Sequence, residues 1–304
     1  MTYDLAIIGG GPAGISAGVY AARKKIKTLF LAENLEGQSA VSDDIQNWIG
    51  MPHVKGAELA KMMADHLRAY AGDSLDIKKE RVTLVEKDGK GFSLRTNKAN
   101  YSAKTILVAT GSVRRKLDIP GAKEFDNKGI SYCASCDAPL FDGANVAVVG
   151  GGNAAFESAA QLAAYAKRIT ILARSRFRAD PVTVEKVLAD KKIEALENID
   201  LAEVKGGDFV TSLAYTKRDS GAKKEIPVTG IFVEIGAVPS VDFVKNLVKL
   251  DGKNEIVTDP KTQVTSAEGI WAAGDCTNGL YKQNNIAAGD AVKALENIFE
   301  YLKT

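Results

Sequence analysis

Two cysteines three positions apart, in Tyr132-Cys133-Ala134-Ser135-Cys136-Asp137, can do disulfide chemistry. Such a pair closes a small ring, and a thiolate is the form that attacks a disulfide sulfur. Exchange then needs one cysteine of lowered pKa and an acid for the leaving thiolate, and Asp137 adjoins the pair. Two other readings are half a zinc site, whose further ligands are missing, and an inert thiol pair. The third cysteine, Cys276 in Gly274-Asp275-Cys276, reads as a small buried residue. The two histidines, His53 and His66, both fall in the first domain's sequence and leave few candidates for a Cys-His relay. His66 lies among Leu59, Met62, Met63 and Leu67 at helical spacing, as a packed or surface histidine beside a methionine pair expected in the core.

The second kind of chemistry lies in two glycine-rich turns, Gly9-Gly10-Gly11-Pro12-Ala13-Gly14 and Gly150-Gly151-Gly152-Asn153-Ala154-Ala155. Each follows a short apolar run, Leu5 to Ile8 or Asn145 to Val149. Each leads into a helical pattern, Ile15 to Arg23 or Phe156 to Lys167. In a strand-turn-helix unit the first glycine makes the turn, the second admits a pyrophosphate, and the third lets helix and strand pack closely. The phosphate then rests on unpaired helix N–H groups. Gly9, Gly11 and Gly14 fit that pattern, and Gly150, Gly152 and Ala155 fit its alanine-ended variant. A purely steric origin is the alternative for either turn alone. Recurrence in matching context argues against it, and a second echo, Thr105 to Gly111 against Gly230 to Gly236, points to two similar nucleotide-binding units.

The ribose-facing end of the second strand separates the two sites. Thr28 to Ala32 ends at Glu33, an acceptor suited to a free ribose hydroxyl. Ile169 to Leu172 runs into Ala173-Arg174-Ser175-Arg176-Phe177-Arg178, with three guanidiniums and no carboxylate. Arginine forks match phosphate geometry, so this loop suits the 2′-phosphate of NADPH. The alternative is a solvated basic loop.

These elements imply an α/β chain of two Rossmann-like dinucleotide-binding domains, the second inserted into the first. The expected bounds are 1–113 with 243–304 for the first and 116–240 for the second, with crossings near Pro120 and Pro239. Gly269 to Gly274 reads as a strand and Ile286 to Leu302 as the helix that completes the first layer. A length of 304 residues accommodates two cores. With 45% hydrophobic and 26% charged residues and a formal charge of +2, nothing argues for a nucleic-acid or membrane surface. Arg114-Arg115-Lys116 and Lys223-Lys224 read as solvated loops. No apolar run approaches the roughly 20 residues of a membrane span, and Met1 to Asp4 carry no secretory pattern. The expected compartment is the cytoplasm, where a close cysteine pair serves catalysis or metal binding rather than stapling.

The whole chain resembles the low-molecular-weight thioredoxin reductases. The matching pieces are Gly9 to Gly14, Gly37-Gln38, Asn47-Trp48, Ala109-Thr110-Gly111, Cys133 to Asp137, Gly150 to Glu157, Phe177-Arg178-Ala179, Gly274-Asp275 and Tyr281-Lys282-Gln283. The resemblance implies FAD on the first domain, held through Gly9, Gly11, Pro12, Ala13, Gly14, Glu33, Gly37, Gln38, Asn47, Thr110, Gly111 and Lys282, with Asp275 on the ribityl chain and Gln283 by the ring. It implies NADPH on the second, through Gly150, Gly152, Asn153, Ala154, Ala155, Glu157, Arg174, Arg176 and Arg178, and it implies a homodimer. By the same carry-over Cys136 faces the flavin, Cys133 attacks the partner's disulfide and Asp137 is the general acid. The resemblance also implies that the second domain rotates so that cysteines and nicotinamide take turns.

The departures point to the partner. Ala173-Arg174-Ser175 stands where the family has His-Arg-Arg, which softens the expected NADPH preference. Ala138-Pro139-Leu140 replaces a glycine and two aromatics that dock thioredoxin. Pro139-Leu140-Phe141 and Gly274 to Thr277 with Tyr281 to Gln283 are more similar to the C-terminal part of the alkyl hydroperoxide reductase flavoprotein. Thioredoxin reduction is the first expectation. A peroxiredoxin-system reductase using a separate thioredoxin-like or glutaredoxin-like carrier is the second. An NAD(P)H oxidase, a diaphorase and a ferredoxin-fed flavoprotein are the remaining alternatives.

Overall fold

The computed structural model describes residues 2–42 and 45–303, without the side chain of residue 41. Met1 and Thr304, the outer bounds expected for the first domain, lie outside the described residues. By contacts the chain divides into two compact units: Met1–Ser42 with Trp48–Val113 and Val238–Thr304, and Asp43–Asn47 with Arg114–Ala237. Both are α/β units built on a parallel sheet.

In the first unit the sheet runs Leu75–Lys79, Thr28–Ala32, Thr2–Ile8, Asn100–Val108, with Ile270–Ala272 also parallel to Asn100–Val108. An antiparallel extension, Gly91–Thr96 and Val82–Asp88, pairs on the early part of Asn100–Val108. Side chains alternate across a strand. Leu5 and Ile7 therefore enter a core with Phe30, Leu107 and Trp271, while Ala6 and Ile8 enter another with Leu29, Phe92 and Ile270. The first core is closed by the helices Pro12–Arg23, Gly56–Ala71 and Asn284–Tyr301. Small side chains explain how tightly they close: Ala13, Ala17 and Ala21 of the first share that core with Ala287, Ala291 and Ala294 of the last. Fully burying a residue such as Phe30 contributes about 1.5–3 kcal/mol.

The second unit has a five-stranded parallel sheet ordered Ile193–Leu196, Arg168–Leu172, Asn145–Val149, Gly230–Val233, Ile130–Ser131. Val146, Val148, Ile169 and Ile171 meet Phe156 and Leu162 of the helix Asn153–Leu162 on one face. Ala147, Val149 and Leu172 meet Val204, Leu213 and Tyr215 on the other. Those last residues belong to an antiparallel meander, Ile199–Gly206, Val210–Lys217 and Lys223–Pro227.

Three sequence expectations need correction. Met62 is 39% exposed rather than core, because the buried stripe of its helix runs through Leu59, Ala60, Ala64 and Leu67. Lys223-Lys224 is not a loop but the start of a strand; its side chains are exposed while its backbone pairs with Tyr215 and Thr216. Arg114 ends the short strand Ser112–Arg114 and lies 3.8 Å from Glu234 instead of in open solvent. Among the described residues no helix is long and apolar enough to cross a membrane.

Candidate functional site: two glycine cradles and a disulfide

In the first unit the turn after Thr2–Ile8 assigns each glycine a separate task. Gly9 has φ +125°, and a methyl group on it would overlap the Ala109 carbonyl oxygen. A methyl on Gly14 would overlap the Gly9 carbonyl oxygen, so this position lets helix pack on turn. On Gly11 a Cβ would meet only Gly37 Cα, at 3.8 Å, leaving the space where an anion approaches the backbone. The helix begins at Pro12 with Gly11 as N-cap, no capping side chain and no acidic residue in its first turn. Its leading N–H groups, including those of Ala13 and Gly14, are thus available to phosphate. The residues present fit the pyrophosphate of a dinucleotide.

The other expected residues of this unit gather at the same sheet edge to differing degrees. Gly37 packs over the Gly11-Pro12 turn and opens a 3-10 turn over Gln38–Val41, with Gln38 exposed. Thr110 and Gly111 follow the strand Asn100–Val108, and the Thr110 hydroxyl donates to the Ser240 carbonyl at 2.7 Å. Gly274 brings the half-buried Asp275 to the start of the first helix, since a Cβ on Gly274 would meet Ala13 Cβ at 3.2 Å. Glu33 is exposed, with Arg81 Nε 3.8 Å from its carboxylate. Gln283 is the N-cap of Asn284–Tyr301. The Lys282 ammonium is engaged within the protein, by Glu255 at 3.1 Å and by the Thr277 carbonyl.

The second cradle repeats the division of tasks. A methyl on Gly150 would press on the Glu234 carbonyl oxygen, and the buried Ala155 fills the third-glycine position beside it. Nothing lies within 4 Å of a Cβ built on Gly152. Gly152 is the N-cap of Asn153–Leu162, again without a capping side chain or an acid in the first turn. Ala154 and Glu157 are exposed. Asn153 instead clamps the following loop: its Oδ1 accepts the Asp180 N–H at 2.8 Å and its Nδ2 donates to the Asp180 carboxylate at 2.9 Å. The basic loop folds back over the turn, with the Arg178 and Ala179 N–H groups on the Gly151 carbonyl at 2.6 and 3.2 Å. Arg174, Arg176 and Arg178 are all exposed there. Behind the turn Glu234 accepts from the Ser158 hydroxyl at 2.7 Å. Burial pushes its carboxyl up, although Ser158 and Arg114 favour its charged form.

Cys133 and Cys136 are disulfide-bonded across a Cα–Cα distance of 5.3 Å. The bond excludes a zinc half-site in this state. Cys133 caps the short helix Ala134–Asp137, whose Cys136 and Asp137 N–H groups bond the Cys133 carbonyl at 3.2 and 3.0 Å. Ala134 and Ala138 share the core of Ala155, Phe156 and Ala159, and the Ser135 hydroxyl donates to Gln161 Oε1 at 2.7 Å. The disulfide therefore rides on the cradle's own helix. Ser131 organises its far side: the hydroxyl donates to Asp137 Oδ2 at 2.6 Å and accepts the Cys133 N–H at 3.2 Å. Asn47, which groups with this unit, places Nδ2 3.9 Å from Cys136 Sγ. Cys276, the free cysteine, is fully buried, and burial pushes its thiol up to about 11.

A family model described as pyridine nucleotide-disulphide oxidoreductase matches residues 3–291. The chain belongs to that family. Membership brings a flavin and a pyridine nucleotide as the cofactor classes. Among solved structures, thioredoxin reductase from Streptococcus pyogenes MGAS5005 is 32% identical with a TM-score of 0.92, covering 99% of this chain and 98% of that chain. Thioredoxin reductase from Giardia duodenalis is 31% identical with a TM-score of 0.93, covering 100% and 99%. Among curated relatives, an alkyl hydroperoxide reductase component of Escherichia coli is 38% identical over 304 residues, covering 99% of this chain and 58% of that protein. A Bacillus subtilis protein named NADH dehydrogenase is 36% identical over 301 residues, with the same coverage. The chain thus spans under three fifths of the length of these curated relatives.

Sequence reading did not find Ser131, Glu197, Glu234 or Glu255. Ser131 has a weak local signal, lying two residues before Cys133 where a hydroxyl reaches a backbone N–H. The other three act on groups 20 or more positions away and carry none.

Proposed function

We propose that this oxidoreductase passes electrons from NADPH, through FAD, to the Cys133-Cys136 disulfide and on to a thioredoxin-like protein. The observation that carries the reading is a disulfide packed on the helix of a second dinucleotide cradle whose neighbouring loop bears Arg174, Arg176 and Arg178. In this reading the units are an FAD domain, 1–113 with 243–304, and an NADPH domain, 116–240. The first cradle would hold FAD through Gly9 to Gly14, Gly37, Gln38, Thr110, Gly111 and Asp275, with Asn47 and Gln283 toward the ring. The second would hold NADPH through Gly150 to Ala155. The protein would work as a cytoplasmic homodimer.

When bound, FAD supplies the two-electron link between nicotinamide and disulfide. The chain's own residues do the exchange. The Cys133 thiolate attacks one sulfur of the partner's disulfide, forming a mixed disulfide, and the departing partner thiolate takes a proton from Asp137. Cys136 then attacks the Cys133 sulfur, restoring the internal disulfide and releasing the second partner thiol. Ser131 positions this step, because one hydroxyl fixes both the Asp137 carboxylate and the Cys133 backbone.

A second reading, a reductase of a peroxiredoxin system acting through a separate carrier, is favoured by relatives named for alkyl hydroperoxide reductase at 37–38% identity. One experiment tests both. The purified protein is reduced anaerobically with NADPH and mixed with oxidised thioredoxin-like and glutaredoxin-like carriers. Stoichiometric thiol formation on one of them supports the proposal and names the carrier class. A colourless protein that takes up no FAD, or flavin reduction with no thiol formed on any carrier, refutes it.

A further inference from the structure

We infer that Glu197 is a positioning residue that shapes the arginine loop and thereby sets the preference for a 2′-phosphorylated nucleotide. The inference rests on the NADPH reading of the second cradle.

The loop joining the strand Arg168–Leu172 to the helix Pro181–Leu188 carries Arg174, Arg176 and Arg178, and Phe177 sits between the last two. A loop with three exposed guanidiniums gains nothing from its own charges, which repel one another and favour an open ensemble. Its ends are held by backbone: the Ala173 N–H bonds the Leu196 carbonyl at 2.9 Å, and the Arg178 N–H bonds the Gly151 carbonyl at 2.6 Å. Its middle is held at Phe177. Glu197 Oε1 accepts the Phe177 N–H at 2.6 Å, while the Phe177 ring meets Phe156 edge-on, with centroids 5.1 Å apart. Glu197 follows the strand Ile193–Leu196, next to Arg168–Leu172 in the sheet, so its backbone is fixed independently of the loop.

Two features make this more than a loop contact. The anchored N–H lies between Arg176 and Arg178, so its position determines where both guanidiniums can reach. The loop is also tied directly to Gly151 of the phosphate turn, so in the NADPH reading its arginines would stand beside the bound nucleotide. Glu197 is paired with a backbone N–H; of the acids three positions to either side, Glu194 contacts Arg168 at 3.0 Å, and Asp200 makes a two-point contact with Arg218 at 2.6 and 2.8 Å while also attracting Arg174. The Glu197 carboxylate to Phe177 N–H hydrogen bond ties the middle of the loop to the neighbouring strand's end. Its loss frees the middle of the loop, and the cost falls on the ligand that needs the loop ordered.

Isothermal titration with 2′,5′-ADP and with 5′-AMP reads this directly, because the two probes share the adenosine and differ in the 2′-phosphate. In Glu197→Ala the affinity for 2′,5′-ADP should fall about tenfold, with 5′-AMP affinity nearly unchanged. Glu197→Gln, whose amide oxygen can accept the same N–H, should retain most of the wild-type preference. In turnover KM for NADPH should rise with kcat held, and KM for NADH should stay put. Equal losses for both probes would make Glu197 a general structural residue, and no loss would make it irrelevant; either overturns the inference. A Gln variant that binds 2′,5′-ADP more tightly than wild type would show repulsion rather than positioning and overturn it too. Wild-type protein that does not prefer 2′,5′-ADP over 5′-AMP would instead bring down the NADPH reading, and the inference with it.

Discussion

Replacing Gly152 by alanine should separate binding from folding in the second cradle. At this position φ is −100° and a Cβ has nothing within 4 Å, so the folded backbone accepts the methyl without strain. Restricting the unfolded chain should even favour folding by about 0.4–1 kcal/mol. The same methyl occupies the open side of the turn, where a phosphate oxygen must come within about 3 Å of the N–H groups. Losing one charge-assisted hydrogen bond costs about 1.5–3 kcal/mol, which corresponds to about 10- to 150-fold in Kd. Gly150→Ala is the control of opposite sign. There the methyl is forced against the Glu234 carbonyl oxygen at φ +155°, and strain with overpacking costs about 2–6 kcal/mol. Thermal unfolding without nucleotide, paired with calorimetric titration of NADP+, should show Gly152→Ala melting at or above wild type with weakened binding. Gly150→Ala should melt several degrees lower. Wild-type NADP+ affinity in a well-folded Gly152→Ala protein would refute the assignment of this turn to a pyrophosphate.

Glu234→Gln should stabilise the protein more at pH 8 than at pH 5. Burial raises the Glu234 carboxyl pKa in the fold, so the group's contribution is fully present below the ordinary carboxylate range and is lost as pH rises through the folded value. The amide keeps the Ser158 hydroxyl bond and removes the buried charge. Urea midpoints at the two pH values check this, and a gain that is equal or larger at pH 5 contradicts it. Ser131→Ala should slow reduction of the protein disulfide about tenfold or more by removing the donor to Asp137 and the acceptor of the Cys133 N–H. Stopped-flow reduction of the flavin by NADPH should stay at the wild-type rate. Full disulfide turnover in the variant would leave Ser131 without the positioning role.

What the sequence disclosed was set by local constraint. The strands Thr28–Ala32 and Asn145–Val149 match their apolar runs, because a buried parallel strand needs only continuous apolar residues between turn signals. Helices start earlier than the apolar spacing implies. The helices begin at Pro12 and Asn153, inside the glycine motifs, since the turn's closing residues form the first helical turn. The second helix stops at Leu162 instead of Lys167, where the Lys167 N–H turns aside to the Ala144 carbonyl at 2.8 Å. No residue between Ala163 and Lys167 is a glycine or proline, so nothing local announces that stop. The meander Ile199–Pro227 escaped reading for a related reason: its outer strand begins with Lys223 and Lys224, charges that suit an unpartnered sheet edge but resemble a loop.

The same distinction governs the site. A glycine that must take φ +125° beside a carbonyl, or a Cys-x-x-Cys spacing that permits a ring, is a demand the chain imposes on itself within a few residues, and the sequence displays it. In the proposed function, selectivity between the two cradles arises elsewhere. Their turns are built alike, with an open middle glycine and a tightly packed flank, and so would receive a pyrophosphate alike. What differs is the loop after the second strand: Glu33 with Arg81 3.8 Å away in one unit, and in the other an arginine-bearing loop whose Phe177 and Arg178 N–H groups are held by Glu197 and Gly151. Residue types in those loops are visible in sequence, but their orientation depends on a partner some 20 positions or more away. A chain with the same arginines and no carboxylate at position 197 would carry the same motif and offer it in a less ordered form.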